Sequence, residues 1–112
     1  MRAVKISVVV PAFNEERLLG ESLAHIKSAA QAFAPRIRVN GIGPGPTLPN
    51  AYQAETDFDA EAAGVLLQRR VDPQEIGAAL RYLIDAPSVT GQMIAVDGGQ
   101  HLGWLTPDVM LP

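Results

Sequence analysis

Three short runs of β-branched and apolar residues, at 4–10 (VKISVVV), 37–42 (IRVNGI) and 93–97 (MIAVD), constrain this chain more than any other feature. A continuous apolar run that stops at Pro or Gly reads as a strand buried on both faces, the habit of a parallel sheet. Parallel neighbours need crossover connections, and the intervening stretches carry helical spacing. Asn14 is placed to cap a helix, with Glu15 and Glu16 in its first turn. Leu19, Leu23, Ile26, Ala30 and Phe33 then form one apolar stripe before Pro35 stops the helix. Residues 53–68 read as a looser helix made acidic by Glu55, Asp57, Asp59 and Glu61. Further on, Asp72, Pro73 and Glu75 supply a cap, a Pro at the first helical position and an acid three residues after the cap. Ile76, Ala79, Leu80 and Leu83 give that last helix its buried face. The order predicts one small α/β domain over 1–112, with about three parallel strands and right-handed crossovers.

Composition narrows the function classes. The chain has 112 residues, 47% of them hydrophobic, and a formal net charge of −3. That balance predicts a folded domain and excludes the clustered basic face of a nucleic-acid binder. There is no Cys, and the two His, at 25 and 101, have no ligand spacing, so no metal site is expected. The apolar run at 6–10 ends at Pro11 and the Asn14-Glu15-Glu16 turn, too short for a signal-peptide core or a membrane span. A cytoplasmic protein with no membrane partner is expected.

In parallel α/β sheets ligands sit at the carboxyl ends of the strands. Those ends are 11–14, 43–47 and 97–100. The second of them opens a resemblance. Arg38-Val39-Asn40-Gly41-Ile42-Gly43-Pro44-Gly45, then Asp72-Pro73-Gln74-Glu75-Ile76, then 90–99 (TGQMIAVDGG), resemble in order three blocks of the short-chain dehydrogenase/reductase family. The likeness covers about 34–104 and implies part of a Rossmann-like three-layer fold. Pro44-Gly45-Pro46-Thr47 is similar to the pteridine-reductase-like branch. By resemblance, the cofactor is NADP or NAD, and Pro44, Gly45, Thr47 and Leu48 lie at its nicotinamide end. Gly45 lets the backbone approach the ring without a Cβ, and the Thr47 hydroxyl is placed to bond the carboxamide or a phosphate oxygen. Pro46 has no N–H, so a backbone contact there falls to Thr47 or Leu48. Residues 53–70 correspond to the family's substrate lid.

The same family uses a Gly-rich phosphate loop and a Tyr-x-x-x-Lys pair, and neither occurs in this sequence. Tyr52 and Tyr82 are followed four residues later by Thr56 and Ala86. No catalytic residue is therefore assigned, and hydride chemistry by these 112 residues alone is not expected. The opening of the chain resembles another family. Lys5-Ile6-Ser7-Val8-Val9-Val10-Pro11-Ala12-Phe13-Asn14-Glu15-Glu16 is similar to the start of family-two glycosyltransferases, which implies nucleotide-sugar contacts at Pro11, Phe13 and Glu15. That likeness covers about 1–33, without the family's Asp-x-Asp metal motif.

Together these resemblances describe a truncated or chimeric NAD(P)-dependent oxidoreductase fragment. The alternatives are a nucleotide-sugar-binding remnant and a non-catalytic oligomerising module. Self-association is expected through a sheet edge or the C-terminal tail, where His101 and Trp104 lie, because three strands leave two edges to cover. Arg69 and Arg70 read as a solvated pair, Asp57 and Asp59 as solvated helix-start charge, and His25 as a surface group beside Glu21.

Overall fold

The computed structural model describes residues 5–9, 16–49 and 54–102. Three parallel strands form one sheet in the order β1 (Lys5–Val9), β2 (Ile37–Pro44), β3 (Met93–Val96). Lys5 is in register with Ile37 and Val9 with Gly41, while Gly41 faces Met93 and Pro44 faces Val96. The connections carry α1 (Glu16–Phe33), α2 (Glu55–Ala63) and α3 (Pro73–Asp85). A short 3₁₀ turn, Gln100–Leu102, follows β3. The α/β class, the parallel sheet and its three strands are as the sequence implies. Among the described residues, no helix is long and apolar enough to cross a membrane.

α1 covers the sheet face that carries Ile37 and Val39. Ile26, Ala30 and Val39 form a buried cluster there, with Ala29, Ile37 and Met93 packed against it. Phe33, expected in the same stripe, is 51% exposed. It is the last residue of α1. α3 meets the opposite face. Side chains alternate along a strand, so Arg38 points away from α1, and its guanidinium reaches the end of α3. The helices thus make three layers.

Both connections step in one direction, from β1 to β2 to β3, yet their helices lie on opposite faces. Two such crossovers have opposite hands, so the expectation of right-handed crossovers holds for only one of them. The handedness rule depends on a strand feeding directly into the packed helix. Between β2 and α3 the chain first runs through α2 and two loops, which weakens that constraint.

The central strand carries the main tie between layers. Arg38 is 7% exposed. Its Nη1 donates to the carbonyls of Leu83 at 2.9 Å, Ala86 at 2.9 Å and Val89 at 3.1 Å, and its Nη2 to that of Ile84 at 3.2 Å. These are the orphan carbonyls of a helix C-terminus and of the turn after it, where the helix dipole also favours a cation. Asn40, fully buried, donates to Val89 O at 3.0 Å and accepts from Gln92 N at 3.1 Å. Val39 N donates to Thr90 Oγ1 at 3.1 Å, and Gly91 N to Val39 O at 2.7 Å. The Arg-Val-Asn run therefore lashes residues 83–92 to β2 and sets the start of β3.

An Arg38→Met variant leaves four carbonyls short of their donor. We expect it to lose about 3 kcal/mol of stability, read as a lower urea midpoint. A midpoint equal to that of the parent protein contradicts this role.

Candidate functional site

Two of the three strand ends meet at one place. Gly45 N donates to Val96 O at 3.0 Å, which prolongs the β2–β3 ladder into the Pro-Gly turn. Gly45 has no room for a side chain: a Cβ there would sit 2.5 Å from Asp97 Cα and 2.8 Å from Asp97 O. The glycine is thus required by the neighbouring strand end, whereas the sequence reading placed that need at a ligand. Thr47 Oγ1 donates to Gly45 O at 2.8 Å, so its lone pairs stay able to accept. Leu48 is 71% exposed. Pro11, Phe13 and Glu15 lie outside the described residues, as does Trp104.

Asp97 directly follows β3 and is 3% exposed. Its Oδ1 accepts from Gly99 N and its Oδ2 from His101 N, both at 2.9 Å. His101 Nδ1 lies 3.0 Å from Oδ1 and 2.9 Å from Oδ2. His101 reads in the sequence as part of a C-terminal tail, whereas the structure pairs it with Asp97. The i, i+4 spacing is the only local sign of it, and it becomes informative only with a helical turn after β3.

A second group of residues closes over these turns. The acidic helix is shorter than the expected 53–68: α2 ends at Ala63, where Gly64 N reaches back to Ala60 O and Glu61 O. Residues 64–71 then dock on the strand ends. Leu67 N donates to Gly98 O at 2.9 Å, and Val71 N to Pro46 O at 2.6 Å. Gly98 and Gly99 have φ of 64° and 89°, a region that side chains disfavour. A Cβ on Gly99 would also lie 2.7 Å from Leu66 Cβ. Phe58, Ala62, Val65 and Val71 are buried within this layer.

The charges here are more ordered than expected. Arg70 donates to Asp59 at 3.2 Å, and its guanidinium lies 4.9 Å from the centre of the Phe58 ring. Arg69 makes a two-pronged contact with Glu75, at 3.2 and 3.1 Å. Glu75 also accepts from Asp72 N at 2.8 Å, completing the capping box legible in the sequence. So neither Arg69 and Arg70 nor Asp59 is merely solvated. The pairing needs loop 64–71 to fold back, which sequence spacing does not reveal. The Arg69 hydrogen bond, then the Asp72 N–H, hold the Glu75 carboxyl below its ordinary range, and Arg69 is raised in turn. Among the described residues, no group of three or more His, Asp or Glu is placed to hold a metal ion.

A parallel sheet covered on both faces, with its turns gathered at the strands' carboxyl ends, defines an α/β protein of the Rossmann-like, three-layer kind. The family profile described as Enoyl-(Acyl carrier protein) reductase matches residues 21–101. The chain belongs to the short-chain dehydrogenase/reductase family. It is 36% identical over 77 residues to the short-chain dehydrogenase/reductase homolog YusR of Bacillus subtilis, covering 68% of this chain and 60% of that protein. It is 32% identical to dihydromonapterin reductase of Citrobacter koseri, over 68% of this chain and 32% of the enzyme. The crystal structure of FolM alternative dihydrofolate reductase 1 from Brucella suis, in complex with NADP, superposes with a TM-score of 0.81 at 40% identity. That match covers 95% of this chain and 47% of the other. The chain thus spans about half the length of this solved relative.

These matches give the glycosyltransferase-like reading of 1–33 no support. The family match reaches back to residue 21, inside α1, and the FolM superposition takes in nearly the whole chain. An apolar strand running into Pro and then Asn-Glu encodes a strand exit and a helix start, which many α/β folds share.

Two outcomes test this geometry. Gly45→Ala should cost about 2 kcal/mol through overpacking against Asp97, seen in denaturant unfolding; an unchanged midpoint contradicts the close approach. For Glu75 the folded-state value lies below the unfolded one. Its stabilisation is therefore complete at neutral pH and is lost as pH falls below the ordinary glutamate range and through the folded value. Glu75→Gln should melt lower than the parent at pH 7, and the gap should close in acid. A gap that is independent of pH contradicts the pairing.

Proposed function

We propose that this chain supplies the carboxyl-edge half of an NAD(P)-binding reductase site of the pteridine-reductase-like branch. The observation that carries the reading is the Pro44-Gly45-Pro46-Thr47 turn, locked to Asp97 beside the paired ends of β2 and β3. Its support is the likeness to FolM, whose structure holds NADP, and to a dihydromonapterin reductase.

The residues fit a nicotinamide. Thr47 spends its own proton on Gly45 O, so the hydroxyl oxygen is free to accept from a carboxamide N–H. Pro44 and Gly45 form the wall beside the ring, and exposed Leu48 offers an apolar edge next to Thr47. The dinucleotide supplies hydride chemistry when bound; these residues bind and orient it. The Gly-rich loop and Tyr-x-x-x-Lys are not within these 112 residues, so in this reading the chain by itself binds without turning over.

Thermal melts of the 112-residue chain with NADPH, NADH, or UDP plus manganese test the proposal. A ligand that binds only the folded state stabilises it by about 2.7 kcal/mol at a hundredfold excess over its Kd. We expect a cooperative melt raised by NADPH or NADH. A melt raised only by UDP plus manganese, or by none of the three, overturns the reading.

A further inference from the structure

We propose that His101 is a specificity-determining residue of this site, one that accepts a hydrogen bond from an N–H donor of the substrate, and that Asp97 positions it. The inference deepens the pteridine-reductase reading and rests on it for the substrate class. It starts from the buried carboxylate. Asp97 accepts from Gly99 N and His101 N, and the imidazole of His101 adds a further contact that bridges both oxygens. Two backbone N–H groups suffice to cap a short turn, so the cap alone does not explain the imidazole.

A carboxylate only accepts, so Nδ1 carries the proton of the neutral ring. Nε2 is then left as a bare acceptor. The His101 side chain is 45% exposed while that of Asp97 is 3% exposed, so the ring is anchored by its inner edge and open at its outer one. Its placement is as fixed as its tautomer. The backbone of Asp97 abuts Gly45 with no space for a Cβ, which ties the His101 turn to the Pro44–Thr47 turn. On the other side, Gly98 and Gly99 are held under Val65 and Leu66. An acceptor held by two rigid turns at the edge of a dinucleotide site suits a flat heteroaromatic substrate with N–H groups on its rim. A dihydropteridine has them, in its exocyclic 2-amino group and ring N3–H. Arrangements of this kind discriminate strongly, because an analogue without the donor leaves the acceptor unpaired.

The test uses the full chain and dihydrofolate as probe, with and without NADPH, for the parent, His101→Leu, His101→Gln and Asp97→Asn. The parent should bind dihydrofolate. His101→Leu should weaken it about tenfold, and His101→Gln, whose amide oxygen can accept, should recover most of the loss. Both His101 variants lose the ring's contact to Asp97 and should melt below the parent, but NADPH should still raise the midpoint of each. Long-range ¹H–¹⁵N spectra should show the Nδ1–H tautomer in the parent and a move toward Nε2–H in Asp97→Asn. No binding by the parent, equal binding by His101→Leu, or no recovery by His101→Gln each overturns the proposal. So does an Asp97→Asn variant with the parent tautomer. Failure of the dinucleotide reading shows separately: NADPH then has no effect on the parent, while dihydrofolate binding without it still depends on an acceptor at position 101.

Discussion

Arg38 is the group on which the rest of this small sheet depends. A buried guanidinium is expensive to desolvate, and it persists only where hydrogen bonds replace the lost water. Here the replacement comes from four carbonyls at the end of α3 and the turn beyond it. Those carbonyls have a complementary problem, since a helix end buried without donors is itself unstable. One side chain settles both. Nε remains buried and unpaired, so the arrangement is not fully satisfied, and its favourable terms must outweigh that loss. Because Asn40 and the Val39 backbone bind the same loop, the tie acts at three consecutive residues of β2. That is how a strand of only four residues, β3, keeps its register.

The same tie sets the layering. With α1 on the Val39 face and α3 held to the Arg38 side, the central strand is covered twice, and its residues 38–43 are all buried. The price of this coverage is a connection of unfavourable hand on one side. A long excursion through α2 makes it feasible and also places α2 and its following loop over the carboxyl ends. Fold and site thus share a cause: the detour that lets α3 reach its face is the segment that closes on the Pro-Gly and Gly-Gly turns.

What the sequence reveals follows the range of each interaction. The α3 start is legible because Asp72, Pro73 and Glu75 make their contacts within four residues. All three strands are legible from apolar runs, and the Pro-Gly and Gly-Gly turns from composition. Arg38 is not, since its partners lie 45 to 51 residues away and a charged residue inside a strand pattern gives no sign of burial. Leu80 was placed on the buried face by spacing but is 38% exposed, whereas Leu83 is fully buried. The α3 stripe is therefore narrower than its apolar residues imply. Arg69 and Arg70 found partners through a fold-back in the loop before α3, with Gln68 at a φ of 56°. Patterning of apolar residues cannot anticipate that turn.

Glycine carries the final step. The resemblance assigned Gly45 to cofactor approach, yet Asp97 occupies the space a Cβ would need, and Leu66 does the same at Gly99. Close packing between the strand ends, the turns and residues 64–71 explains these glycines without any ligand. That does not remove the site. It changes what the glycines do for it, from making room for a ring to fusing its walls into one body. The hydrogen bonds from Val71 to Pro46 and from Leu67 to Gly98 complete that body. The Pro-Gly turn, the base of α2 and the turn that carries His101 are thus joined by direct contacts.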